Sequence, residues 1–213
     1  LRRRQRQMCI RDRLSQFKNP TLIITLLVST MIIQMGNNSI TPIISLYVQD
    51  LMHNVGPITV VAGIIAALPG ISTLLSAPRL GRLGDHRGAD RILVFGFVFA
   101  ILMYFPQGFV SSVWTLGLLR FMIGISDGAL FPTVQTLLSK NTPRELTGTI
   151  FSWNQSFQAA GSMLGSLLGG AVSGWFNYNG VFIFTALSLL LNFIGVLIFI
   201  PSMRHPFAKH SVD

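Results

Sequence analysis

Two charged residues stand where charge is costly. Arg120 and Asp127 lie seven residues apart in "RFMIGISDG", within a stretch that is otherwise apolar or small. A carboxyl group in a water-poor setting resists ionisation and a nearby cation favours it, so such a group can take up and release a proton as its surroundings change. Seven residues of α-helix rise about 10 Å, nearly two turns, so these side chains share a helix face without touching. Ser126 and Gly128 flank Asp127 and leave room for water or an incoming helix. Arg120 is expected nearer the outer end of its span, where a long side chain can reach the interface. The amides Gln34, Asn37, Asn38, Gln135, Asn154 and Gln158 occupy similarly apolar stretches and must find partners or water. Gln34 with Asn38, and Asn154 with Gln158, are four apart and share faces. They suit the wall of a substrate cavity, with Trp153 and Phe157 nearby, or hydrogen bonds between helices.

Other chemistries lack their residues. The single cysteine, Cys9, excludes an internal disulfide, and His53, His86, His205 and His210 have no metal-ligand spacing. No P-loop, dinucleotide fingerprint or nucleophile-base constellation is present, so no enzyme, cofactor or metal is expected.

Long apolar runs carry these residues. Only 11% of the 213 residues are charged, against about 25% in an ordinary soluble domain. A membrane span needs about 20 mainly apolar residues. Six segments qualify, near Thr21 to Tyr47, Ile58 to Ala77, Ile92 to Phe109, Val113 to Ser139, Ile150 to Trp175 and Gly180 to Pro201. Helices are expected because backbone polar groups in lipid must be satisfied within each segment. Pro42, Pro69 and Pro132 fall inside spans and predict kinks. Gly161, Gly165 and Gly169 recur every fourth position, as do Gly124 and Gly128, and make smooth helix-packing faces.

Charge sets orientation. Of the net charge of +9, the first thirteen residues contribute +5. Residues 1–17 are expected to be a basic arm of non-native, linker-like origin and are set aside from the fold. Lys18, Arg79, Arg82, Arg87, Arg91, Lys140, Arg144, Arg204 and Lys209 all fall at one side of the six spans, whereas "VQDLMHNVGP", "PQGFVSS" and "WFNYNG" contain no lysine or arginine. The positive-inside rule then places both termini in the cytoplasm, with 204–213 as a tail, and explains the basicity without a nucleic-acid partner.

Residues 79–91, "RLGRLGDHRGADR", are expected to form a cytoplasmic hairpin entered at Pro78, its glycines allowing a tight turn. Gly81, Leu83, Asp85 and Gly88 give G-x-L-x-D-x-x-G, which resembles the loop signature of the major facilitator superfamily, with His86 and Ala89-Asp90 standing where basic residues are usual. The resemblance gives Asp85, with basic neighbours such as Arg91, the role of a latch between cytoplasmic helix ends. "RFMIGISDG" resembles the superfamily's R-x-x-x-G helix motif, and "GSMLGSLLGG" its antiporter glycine motif with Ser166 in place of proline. The ordered set "KNPTLIITL", "ITPIISLYV", "SAPRLGRLGD", "LRFMIGISDGALFPTVQTLLSK" and "IFSWNQSF" is similar to the C-terminal half of bacterial multidrug efflux transporters of that superfamily, over about Lys18 to Ser202. It implies an all-α membrane protein over 18–203, six helices in a 3+3 inverted repeat, forming half of a drug/proton antiporter of the bacterial inner membrane. Its partners would be a small amphipathic substrate, protons, the lipid bilayer and a missing N-terminal six-helix half. A six-helix scaffold or assembly partner without flux is the alternative.

Overall fold

The computed structural model describes residues 19–199, so the anticipated basic arm and C-terminal tail lie outside the described residues. Every regular element described is helical: α1 (Pro20–Ile40), α2 (Ile44–Leu51), α3 (Ile58–Arg87), α4 (Ala89–Gln107), α5 (Val113–Lys140), a 3-10 turn (Arg144–Leu146) and α6 (Thr147–Phe199). Five helices are long and apolar enough to cross a membrane. The longest, α6, breaks at Phe176 and Asn177, where Asn177 adopts φ 59. Its arms, 147–175 (α6a) and 178–199 (α6b), complete six passes.

The boundaries depart from the sequence expectation in three places. Residues 21–47 are not one helix: α1 ends at Ile40, Thr41 to Ile43 form a turn, and α2 resumes at Ile44. Pro42 accounts for the break, since it has no N–H to donate to the Asn38 carbonyl and its ring crowds the preceding turn, although Thr41 itself keeps helical angles. Helix α3 instead continues through Pro69 and Pro78 to Arg87, so the expected hairpin is mostly helix. Leu80, Leu83 and Gly84 turn inward at helical spacing, and a Cβ on Gly84 would touch the Ile92 side chain at 3.6 Å. The chain reverses at Gly88 alone, with φ 98, a conformation that glycine adopts freely. Likewise "WFNYNG" is no loop, because only Phe176 and Asn177 leave helical geometry.

Helix pairing follows the glycines. A Cβ on Gly161, Gly165 or Gly169 of α6a would collide with the backbone carbonyl of Met31, Met35 or Ser39 on α1. On α5, a Cβ at Gly124 would strike the Pro69 carbonyl of α3, and one at Gly128 would strike Ser76 Oγ. Backbone thus lies against backbone in both pairs, the close approach that small residues permit in lipid. The first span packs on the fifth and the fourth on the second, an exchange that a two-fold relation between the two triplets of spans would produce. The third and sixth spans meet behind them, with the Phe97 and Phe193 rings 5.8 Å apart. Helix α3 closes one end of the array and is the least covered span, with 17% of its apolar window buried against 50% for α5.

Gly165→Leu should therefore separate α1 from α6a and destabilise the purified protein by more than about 3 kcal/mol, the upper end of ordinary overpacking. Gly170→Leu, at an exposed position with nothing within 4 Å of its Cβ, should leave thermal unfolding in detergent nearly unchanged. Equal melting temperatures for the two variants would contradict the packing account.

Candidate functional site

The site begins where α1 crosses α5. A Cβ on Gly36 would come within 2.9 Å of Thr185 Cγ2, so α1 sits close against α6b at this level. The next residue, Asn37, is thereby directed toward α4 and α5. Its Nδ2 donates to both Asp127 carboxylate oxygens, at 3.2 Å each. Tyr104 of α4 donates its hydroxyl hydrogen to Asn37 Oδ1 at 2.6 Å. The amide orientation is therefore fixed at both ends, and one network joins the first, third and fourth spans. Tyr104 is buried, whereas Asn37 and Asp127 are half-buried.

Arg120 belongs to the same cluster and does not reach for the interface as expected. It is 7% exposed, its guanidinium carbon lies 5.7 Å from the centre of the Phe182 ring, and its Nε has no hydrogen-bond partner. Its charge lies within electrostatic reach of the Asp127 carboxylate. An aromatic face attracts a desolvated cation by up to about 2 kcal/mol, which helps to explain why a buried arginine is held here. Phe182 in turn lies 5.3 Å from the Tyr47 ring of α2. The Tyr47 hydroxyl donates to the carbonyls of Gln107 and Val110, at 3.3 and 3.2 Å. The short helix α2 is thus linked by contact to the buried charge.

The remaining amides separate into other environments. Asn38 donates to Ser162 Oγ at 3.2 Å and to the Gln34 carbonyl at 3.0 Å, tying α1 to α6a. Asn154 is buried with Oδ1 unpaired, while Gln34 and Gln158 are half-buried. Gln135 is exposed beside a cavity of about 410 Å³ lined also by Pro132, Thr136, Ser139, Lys140 and Phe151. In the signature at the end of α3, Gly81 and Leu83 are half-buried, Asp85 occupies the last helical turn and Gly88 is the turn itself; Arg91 is half-buried in the first turn of α4. Among the described residues no group of three His, Cys, Asp or Glu is placed to hold a metal ion.

Tyr104 and Phe182 were absent from the sequence candidates. Tyr104 carried a faint signal as one of only three tyrosines, set in an apolar span. Phe182 carried none, being one of sixteen phenylalanines.

A part-buried carboxyl-amide-phenol network thus joins three helices inside a bundle of membrane-spanning helices. Residues 26–211 match the Major Facilitator Superfamily. The chain belongs to that superfamily. It is 48% identical over 185 residues to Multidrug resistance protein MdtG of Escherichia fergusonii, an alignment covering 87% of this chain and 45% of that protein. The corresponding protein of Enterobacter lignolyticus is 46% identical over 182 residues, covering 85% and 44%. The in meso crystal structure of the POT family transporter PepTSo matches with a TM-score of 0.69 at 14% identity, over 88% of this chain and 38% of that one, a likeness of fold alone. The chain thus spans less than half the length of the curated relatives it matches. It is a multi-pass membrane protein with the six-helix architecture of this superfamily.

Breaking the network should be non-additive. Tyr104→Phe should cost about 0.6 kcal/mol, a typical interhelical hydrogen bond in a membrane protein. Asn37→Ala should cost about 1.5–3 kcal/mol because it strips donors from a charged group. In the Asn37→Ala background Tyr104→Phe should cost almost nothing, measured by chemical unfolding in mixed micelles; full additivity would show that the two side chains do not share one network.

Proposed function

We propose that this chain forms the C-terminal six-helix half of a drug/proton antiporter in the bacterial inner membrane, with both termini cytoplasmic. Asp127 is the proton carrier in this reading, Arg120 its counter-charge, and Asn37 with Tyr104 the sensor of helix position. The observation that carries the reading is the pair of hydrogen bonds from Asn37 to the Asp127 carboxylate, made between helices that belong to different three-span units. Relatives at 46–48% identity that are named multidrug resistance proteins support the choice of substrate class.

The chemistry follows from what the carboxylate loses when the helices part. With Asn37 donating and Arg120 close, the charged form is compensated inside the membrane. Movement of α1 away from α5 removes the Asn37 amide donor, and the carboxylate then binds a proton from water admitted to the opened space. Return of α1 restores the donor and expels the proton on the other side. An amphipathic substrate that fits the opened space would exchange with the proton across the half-to-half interface, where transporters of this construction bind their cargo. The poorly covered face of α3 supports a second six-helix half as neighbour.

Asp127→Asn in the complete transporter keeps the side chain's shape and removes its titration. It should reduce proton-driven export at least tenfold while substrate binding persists; export with unchanged pH dependence would exclude Asp127 as carrier. Orientation is tested separately, after Cys9→Ser, by single cysteines at the exposed positions Asn54, Asn177 and His86. An impermeant thiol reagent added to intact cells should label the first two and spare the third. Labelling at His86 from outside would reverse the topology.

A further inference from the structure

Two buried polar atoms in one layer of the bundle each lack what the other offers. Among the described residues, Arg120 Nε is a donor without an acceptor, and Gln107 Oε1, on a fully buried side chain at the last position of α4, is an acceptor without a donor. The identity of the free Gln107 atom is fixed, because Nε2 donates to the Met103 carbonyl at 2.9 Å and only an N–H can do so. Helix register brings the two groups to one depth. Ser126 Oγ donates to the Gly96 carbonyl at 3.3 Å, and a Cβ on Gly96 would meet Ala129 and Leu130 at 3.3 and 2.9 Å, so these residues are level across α4 and α5. The two helices run antiparallel about a short connection, and about eight residues, roughly 12 Å, toward it from this crossing stand Tyr104 on α4 and Arg120 on α5. The bond to Met103 folds the Gln107 amide back one turn to the same depth. Aromatic rings close the layer: Phe182 lies against both the Arg120 guanidinium and the Tyr47 ring, and the Tyr47 hydroxyl donates to the Gln107 carbonyl.

We infer that Gln107 is a positioning residue for the counter-charge: Arg120 rests in the field of Asp127 while the carboxylate is charged, and turns its Nε–H to Gln107 Oε1 when Asp127 takes a proton. A protonated carboxyl no longer attracts the guanidinium, and a buried cation then needs another acceptor. The amide oxygen supplies a charge-assisted hydrogen bond, at the C-terminal end of α4, whose dipole also favours a cation. Only side-chain torsions need change, since both groups already occupy the layer. The titratable groups around Arg120 are Asp127 on its own helix, Tyr104 of α4, and Tyr47 with the exposed Asp50 of α2; α1 and α6a carry none, α6b adds only Tyr178, and α3 and α4 bring charges only between Arg79 and Arg91. None of these besides Asp127 offers Arg120 a carboxylate in the layer, which leaves the Gln107 oxygen to take its place. The alternate partner favours the protonated carboxyl, so Gln107 raises the pH at which Asp127 can be loaded. The pairing is a matter of packing, its effect on transport rests on the proton-carrier reading of Asp127, and the two are measured apart.

In the complete transporter, Gln107→Met keeps the side chain's bulk and removes the acceptor. The upper pH limit of drug-induced proton release should fall by about one unit in this variant, a roughly tenfold loss of proton affinity that matches one hydrogen bond to a charged group. The limit should rise in Gln107→Glu, because a carboxylate there holds Arg120 away from Asp127. An unmoved limit in the Gln107→Met protein, or shifts of the same sign in both variants, would overturn the inference; a simple folding defect does not produce opposite signs. A second measurement needs no proton coupling. Gln107→Met should lower the melting temperature in detergent at least about twofold further in an Asp127→Asn background, which mimics the protonated carboxyl, than in the wild type. Equal penalties in the two backgrounds would overturn the pairing. A larger penalty in the Asp127→Asn background, found together with proton release that does not depend on Asp127, would sink the carrier reading and still establish Gln107 as the alternate partner of Arg120.

Discussion

Hydrocarbon offers no hydrogen-bond partner, and every polar group placed inside it must be answered by the chain itself. That constraint explains the uninterrupted helices, which satisfy their own backbones. It also explains where regular helix gives way. The break at Thr41 to Ile43 is kept to one tight turn, in which the Ile43 N–H donates to the Ile40 carbonyl at 3.1 Å and the Tyr47 N–H to the Ile43 carbonyl at 2.9 Å. The reversal at Phe176 and Asn177 falls between apolar arms, at residues exposed beyond the packed bundle.

The same constraint ties the site to the packing. Lipid tails are as apolar as leucine, so helices associate through close contact and interhelical hydrogen bonds rather than through expulsion of water. The glycines of α6a bring α1 near enough for Asn38 to reach Ser162, and Ser39 and Thr185 stand 3.0 Å apart across α1 and α6b. With α1 held on two sides, Asn37 is left facing Asp127. The carboxylate is thus answered by an amide positioned by neutral packing, and the arginine by an aromatic ring. Neither charge is locked to the other, which is what the proposed role of Asp127 as proton carrier requires.

The fold was legible in the sequence because its signals are long and redundant. Twenty-residue apolar runs and one-sided arginines and lysines survive errors of several residues, and glycines at every fourth position name a helix face. Boundaries were less legible: Pro42 and Pro78 look alike as letters, yet one ends a helix and the other lies within one, because the residues after Pro78 keep an inward-facing stripe. Asp127 and Asn37 could be listed as polar residues in lipid, but their pairing across ninety positions depends on the azimuth of α1, which Gly36 and the α6a glycines fix jointly. The chain around Arg120 reads as a place to snorkel, and only the ring of Phe182, from a different span, makes burial tolerable.

The central claim is that Asp127 takes up a proton when the helices around it part and surrenders it to cargo entering the opened space. Its most direct measurement is proton release on drug binding by the complete, detergent-purified transporter in weakly buffered solution with a pH indicator. The account predicts that saturating drug releases protons from the wild type, and that the Asn variant at position 127 binds the drug without releasing them. Equal release from both proteins would contradict it and move the coupling group elsewhere in the molecule.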